Sequence, residues 1–126
     1  MKRLLLFLIL CPALSVHAQL NGMIDLHLHA APDSDVRSVN AFEAARLAQR
    51  HGMRALLFKN HNTHTASLAY LVSQAVPGIE VYGGITLNQA VGGINPLAVR
   101  LMAETTNSHG RVVWMPTRDS EHAVRK

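Results

Sequence analysis

The sequence predicts an α/β fold built around a parallel sheet, and three observations carry that prediction. The apolar pattern switches repeatedly between short unbroken runs, as in strands covered on both faces, and stretches with the 3.6-residue spacing of amphipathic helices. Four of the runs alternate strictly with three complete helical stretches, and right-handed strand–helix–strand crossovers make consecutive strands parallel. The composition is that of a globular protein: 126 residues, 48% hydrophobic and 16% charged, a length suited to one domain. Beyond this rhythm there is no internal repeat, low-complexity segment or linker.

Residues 1–18 stand outside the pattern. Met1-Lys2-Arg3 is a basic start, Leu4 to Leu14 an apolar core, and Val16-His17-Ala18 places small residues where a signal peptidase reads. The apolar run is too short to span a bilayer of about 30 Å as a helix, so the reading is a signal peptide cleaved near Ala18. A lipoprotein reading through Cys11 is opposed by Leu10, which stands where a small residue is required. The expectation is a secreted or periplasmic protein with no stable membrane anchor after cleavage. Removing 18 residues leaves 108, and the loss of Lys2 and Arg3 takes the formal net charge from +4 to +2. No basic cluster is interleaved with aromatics, which argues against a nucleic-acid partner. Cys11, the single cysteine, leaves with the leader, so any metal must be held by nitrogen and oxygen ligands.

Met23 to Leu28 reads as the first strand. Ser38 or Asn40 can cap a helix through Phe42, Ala45, Leu47 and Ala48, with Gly52 at its stop. Met53 to Phe58, nearly all apolar, is the second strand. Ala66 to Ala75 is a helix with Leu68, Leu71, Val72 and Ala75 on one face, ended by Pro77-Gly78 before a strand from Ile79 to Leu87. Asn95-Pro96 opens another helix, a capping side chain before a proline in the first turn, which continues through Met102 to about Asn107. Gly110 ends it, Arg111 to Met115 is the fourth strand, and Asp119 can cap a last short helix. His51 and His109 precede helix-ending glycines and read as helix C-terminal cations.

In parallel α/β folds chemistry gathers at the C-terminal ends of the strands. The first end reads Asp25-Leu26-His27-Leu28-His29. Strand periodicity puts Asp25, His27 and His29 on one face and Leu26 and Leu28 against the helices, so two imidazoles can reach one metal ion with a carboxylate behind them. The bland alternative is a half-exposed strand. At the second end, Lys59 is open to three readings: a carbamylated bridging ligand, an anion anchor for substrate, or a solvated loop residue. His61 and His64 follow in a polar loop and join the candidates through their nearness to that end. The third end, from Gly83-Gly84 to Asn88 and then Gly92-Gly93-Ile94-Asn95, is glycine-rich without a dinucleotide or Walker signature, which suits close backbone approach. The fourth, Trp114-Met115-Pro116-Thr117-Arg118-Asp119, offers an aromatic wall, with Thr117 and Asp119 as pocket candidates for substrate and Asp119 equally a helix cap.

The motif Asp25-Leu26-His27-Leu28-His29 resembles the D-x-H-x-H opening of the amidohydrolase superfamily of (β/α)8-barrel metallohydrolases. The segments DLHLHAAPD, RALLFKNHNTHTA, VYGGITLNQAVGGINP and VVWMPTRDS together resemble the N-terminal part of an uncharacterised amidohydrolase-like family, over most of residues 23–122. This resemblance implies the N-terminal half of a TIM-type barrel in residues 19–126, since a complete barrel takes about 250 residues. It also implies a divalent metal, usually zinc, with His27 and His29 as ligands, Asp25 close by, and Lys59 and His61 next. Manganese and iron also suit such donors. The implied chemistry is hydrolysis of an amide, lactone or related C–N or C–O bond in a small-molecule substrate by metal-activated water.

The later-strand histidines and final-strand aspartate of that superfamily have no counterpart here, which leaves the activity of this chain by itself open. The H-x-H pair is shared with polymerase-and-histidinol-phosphatase phosphoesterases, so phosphoester hydrolysis is the alternative chemistry. A non-catalytic half-barrel that binds metal or a small ligand is the alternative class. An open half-barrel exposes a strand edge and apolar surface, for which a homodimer is the expected cover.

Overall fold

The computed structural model describes residues 20–125, and the signal peptide read from residues 1–18 lies outside them. Four strands, β1 (Ile24–Leu28), β2 (Ala55–Phe58), β3 (Glu80–Thr86) and β4 (Gly110–Trp114), form one sheet. They lie in chain order and each neighbouring pair is parallel. Helices α1 (Ala41–Arg50), α2 (Ala66–Ala75) and α3 (Pro96–Glu104) make the three crossovers, and a single-turn α4 (Glu121–Val124) follows β4. The predicted α/β class and parallel sheet are therefore present. A sheet in chain order has no topological switch point, in contrast to doubly wound folds.

The core lies between the sheet and its helices. Leu56, Phe58 and Val81 from the strands, with Ile79 just before β3, meet Ala44, Ala45 and Ala48 of α1 and Ala69 and Val72 of α2. A second cluster joins Ile85 and Leu87 to Met102 of α3 and to Ala66. Phe58 is 1% exposed, and burying a side chain of that size contributes about 1.5–3 kcal/mol.

Helix α2 is rotated relative to the sequence expectation, and the buried stripe of α1 is likewise made of small residues. In α1 the buried stripe is Ala41, Ala44, Ala45 and Ala48, whereas Leu47 is 47% exposed. In α2 the stripe is Ala66, Ala69 and Val72, while Leu71 and Ala75 face out. The cause is close approach. A Cβ at Gly83 would overlap the backbone of Thr65 and Ala66, so α2 starts hard against β3 and only small residues fit between.

Local signals decide the helix ends. Asn40, rather than Ser38, caps α1: its side chain accepts from Glu43 N at 2.9 Å, and the Glu43 carboxylate accepts from Asn40 N at 2.9 Å. Asn95 caps α3 as predicted, accepting from Ala98 N at 3.2 Å with Pro96 in the first turn. That helix stops at Glu104, short of Asn107, because Thr105 Oγ1 donates back to Leu101 O at 3.0 Å and Asn107 adopts φ 58°. The cap of α4 is Ser120, which accepts from Ala123 N at 3.3 Å; Asp119 is committed elsewhere. His109 lies beyond the end of α3, next to the start of β4. Its Nδ1 lies 2.7 Å from Val81 O and its ring beside Tyr70 of α2, which pins the start of β4 to β3 and α2. No helix among the described residues is long and apolar enough to cross a membrane.

Candidate functional site

The strand ends meet at one rim, and β1 reaches it through a bulge. Asp25 pairs with Leu56 and Leu28 with Phe58, so three residues of β1 advance against two of β2. The extra residue breaks the alternation. Asp25 therefore shares the helix-facing side with Leu28, Val39 and Ala44 instead of standing beside the imidazoles. Its carboxylate accepts from His27 N at 2.9 Å, which fixes the turn of the bulge. The expected common face of Asp25, His27 and His29 is thus corrected: an extra residue in a strand shifts every side chain before it to the other side.

Beyond the bulge, three imidazoles gather. The rings of His27 and His29 lie 5.3 Å apart, and those of His29 and His61 are stacked at 4.8 Å. His61 Nδ1 is 2.9 Å from Thr117 Oγ1, a contact that orients the ring. His29 Nδ1 faces Arg37 Nη2 at 3.4 Å. Burial, then Arg37, the other two imidazoles and Lys59, lower the His29 pKa from 6.5 to about 4. Burial also lowers His61, helped by Arg118, Lys59 and Arg37 and opposed by Asp33. Both rings are neutral at physiological pH, so each offers a lone pair.

A network of acids and amides holds this cluster in place. Asp33, its side chain fully enclosed, pairs with Arg37 at 2.6 Å. Burial pushes the Asp33 pKa up, but the Arg37 hydrogen bond and charge and nearby backbone amides hold it below the usual carboxylate value. Asp35 bridges Arg37 at 3.1 Å and Arg118, which ties the loop after β1 to the loop after β4. Asn88, 1% exposed, clamps two further loops together. Its Oδ1 accepts from Thr117 N at 2.9 Å and Arg118 N at 3.1 Å, and its Nδ2 donates to His61 O at 2.9 Å. Asp119 Oδ2 accepts from Gln89 N at 2.7 Å, so that carboxylate serves the loop and not α4.

Lys59 is 4% exposed, and its Nζ stands 5.2 Å above the Trp114 ring. Burial lowers its pKa. Trp114 also reaches His27, with ring centres 6.2 Å apart. Its indole lies where a Cβ on Gly84 would come within 2.6 Å of it, so the missing side chain is the seat of the ring.

Of the residues singled out from sequence, His27, His29, His61, Lys59 and Thr117 come together at this rim. Asp25 lies behind it, Asp119 is spent on Gln89, and His64 is exposed on the loop before α2. Sequence reading passed over Asp33, Arg37, Asn88 and Arg118. The Asp33–Arg37 spacing of four was the available signal for the first pair; nothing in the pattern marks Asn88 as a clamp.

The donors suit a nitrogen-ligated divalent cation in type: neutral imidazoles, one of them with its second nitrogen on a hydroxyl. Among the described residues no group of three or more His, Cys, Asp or Glu is arranged to hold a metal ion. The rim carboxylates nearest the cluster are already engaged by arginines and amides.

No curated protein and no solved structure matches the chain. Residues 22–126, which include every element of the sheet, the imidazole cluster, Lys59 and the Asn88 clamp, match one family model, so the chain belongs to DUF6282, a family of unknown function.

Proposed function

We propose that the chain is the N-terminal half-barrel of a metal-dependent hydrolase of the amidohydrolase type, exported by its leader, that cleaves an amide, lactone or related C–N or C–O bond in a small molecule. The observation that carries the proposal is the gathering of His27, His29 and His61 at the C-terminal rim of a parallel sheet in chain order. His27 and His29 would supply the first donors to the ion, with His61 the next candidate, zinc being the first candidate metal and manganese or iron also suited. A bound divalent ion supplies a water acidified toward neutral pH and a polarised scissile bond. Thr117 orients His61 through Nδ1, and burial, helped by the charges of Arg37 and Lys59, keeps His29 and His61 neutral and therefore able to ligate. The remaining donors and the proton shuttle come from outside the described residues.

The test is the metal content of the purified mature protein after exposure to zinc and desalting, beside a His27→Ala/His29→Ala double variant. The expected result is near-stoichiometric zinc in the parent and none in the variant. Equal content in both would remove the reading. A second reading, a half-barrel that binds an organic anion without turnover, is favoured by the engagement of the nearby carboxylates while Lys59 has no acidic partner among the described residues. Phosphoester hydrolysis is the alternative chemistry within the enzyme class.

A further inference from the structure

Two polar groups on the inner face of the sheet lack partners. Lys59 is almost wholly buried, yet its Nζ makes no ion pair or hydrogen bond with any described residue and rests only on the Trp114 ring. Thr86, 0% exposed, carries the one enclosed side-chain polar atom among the described residues without a hydrogen-bond partner, its Oγ1. Leaving such a hydroxyl unpaired costs about 1–3 kcal/mol, and an amine whose stem is buried while its Nζ stays open and unpaired is placed to receive a counter-charge. The two groups converge on one side chain. Thr86 is the register partner of Trp114 in the parallel β3–β4 pair, so both point to the same face, and the Trp114 ring is seated on Gly84 two residues before Thr86.

We propose that Lys59, Thr86 and Trp114 form a subsite for a carboxylate on a flat organic acid: Lys59 Nζ supplies the opposite charge, Thr86 Oγ1 a hydrogen bond, and the indole a stacking wall. A carboxylate fits better than a phosphate. One cation and one hydroxyl match one negative charge, and the rim amides that could cradle a phosphate are occupied. Thr117 N and Arg118 N go to Asn88, Gln89 N to Asp119, and Asn62 N and Thr63 N to Asn60. The subsite uses none of the three imidazoles and so stands whether or not a metal is bound. Because Lys59 Nζ stands over the ring, occupation of the subsite changes the surroundings of the indole.

Trp114 is the single tryptophan of the chain, and its emission therefore reports on the subsite alone. The experiment titrates the full mature chain in EDTA with benzoate, its neutral counterpart benzamide, and inorganic phosphate, and follows Trp114 fluorescence. Benzoate should give a saturable change, with benzamide and phosphate each at least about tenfold weaker, the factor that about 1.4 kcal/mol of lost charge pairing confers. Lys59→Met should weaken benzoate by about tenfold or more. Thr86→Val, which keeps the shape and removes only the orphaned hydroxyl, should weaken it by about fivefold while the urea midpoint stays level or rises. No saturable response to benzoate, equal binding of benzoate and benzamide, preference for phosphate, or unchanged affinity in a folded Thr86→Val variant would each overturn the proposal. If Lys59→Met does not fold, the Thr86→Val variant and the benzamide comparison decide it. Because the titration is run in EDTA, its failure is separate from failure of the zinc measurement.

Discussion

His29 keeps a neutral ring well into the acid range, and the sign of that shift makes it an acid-sensitive part of the fold. Its pKa falls from 6.5 to about 4 on folding, so below about pH 6.5 the unfolded chain takes up a proton that the folded chain refuses. The contribution of the neutral ring to stability is complete above that pH and is lost as pH drops toward 4; His61, lowered for the same first reason, acts in the same direction. The urea midpoint is expected to fall between pH 6.5 and 4, and His29→Asn to flatten the fall; parallel slopes in parent and variant would refute this. Asn88 sets the other residue-scale expectation. Asn88→Ala removes the acceptor of Thr117 N and Arg118 N and the donor to His61 O, a loss of about 2–4 kcal/mol at roughly 1 kcal/mol per bond plus the penalty for unpaired amides. Chemical denaturation measures it, and a change below about 0.5 kcal/mol would show that the clamp is not structural.

At the level of elements, the sequence was legible where a local signal acts alone. Helix α2 occupies Ala66–Ala75 as read, because its register of small and apolar residues is bounded by Pro77-Gly78. The start of α1 was narrowed to two residues, and the choice of Asn40 is explained by Glu43 three positions on, which completes the capping box. Asn40→Ala should cost about 1 kcal/mol in denaturation experiments, and Glu43→Ala a smaller part of it. The rotation of α2 was not legible. Periodicity marks the apolar stripe, but the separation between helix and sheet chooses among its residues, and Gly83 makes that separation short. Nor was the β1 bulge, since a two-residue period carries no sign of an inserted residue. This explains why the imidazoles of the site were found from sequence and the place of Asp25 was not. Gly84→Ala tests the other close approach: a Cβ there meets the backbone oxygen of Val112 first and the Trp114 ring next, so the variant should lose about 1–3 kcal/mol and shift tryptophan emission, whereas native emission and stability would show that β4 and its ring do not pack that closely.

For the molecule as a whole, β1 and β4 are both open edges of the sheet among the described residues. Leu26 and Met115, each 65% exposed, add apolar surface beside them. Unpaired edges of this kind recruit further strands. Sedimentation velocity on the purified chain should show dimers or larger species, and Leu26→Lys/Met115→Lys should move the population toward monomer; a monodisperse monomer in the parent would refute the expectation. The chain-order sheet bears also on how the protein is made. Each strand from β2 onward pairs with the strand synthesised just before it, across one intervening helix. As the chain leaves the ribosome, every new strand finds its template already in place, and no early segment waits for a distant one to complete its backbone pairing. The rim behaves differently. His27 emerges with β1 and Trp114 only with β4, so the sheet can assemble step by step while the site is finished only when β4 arrives.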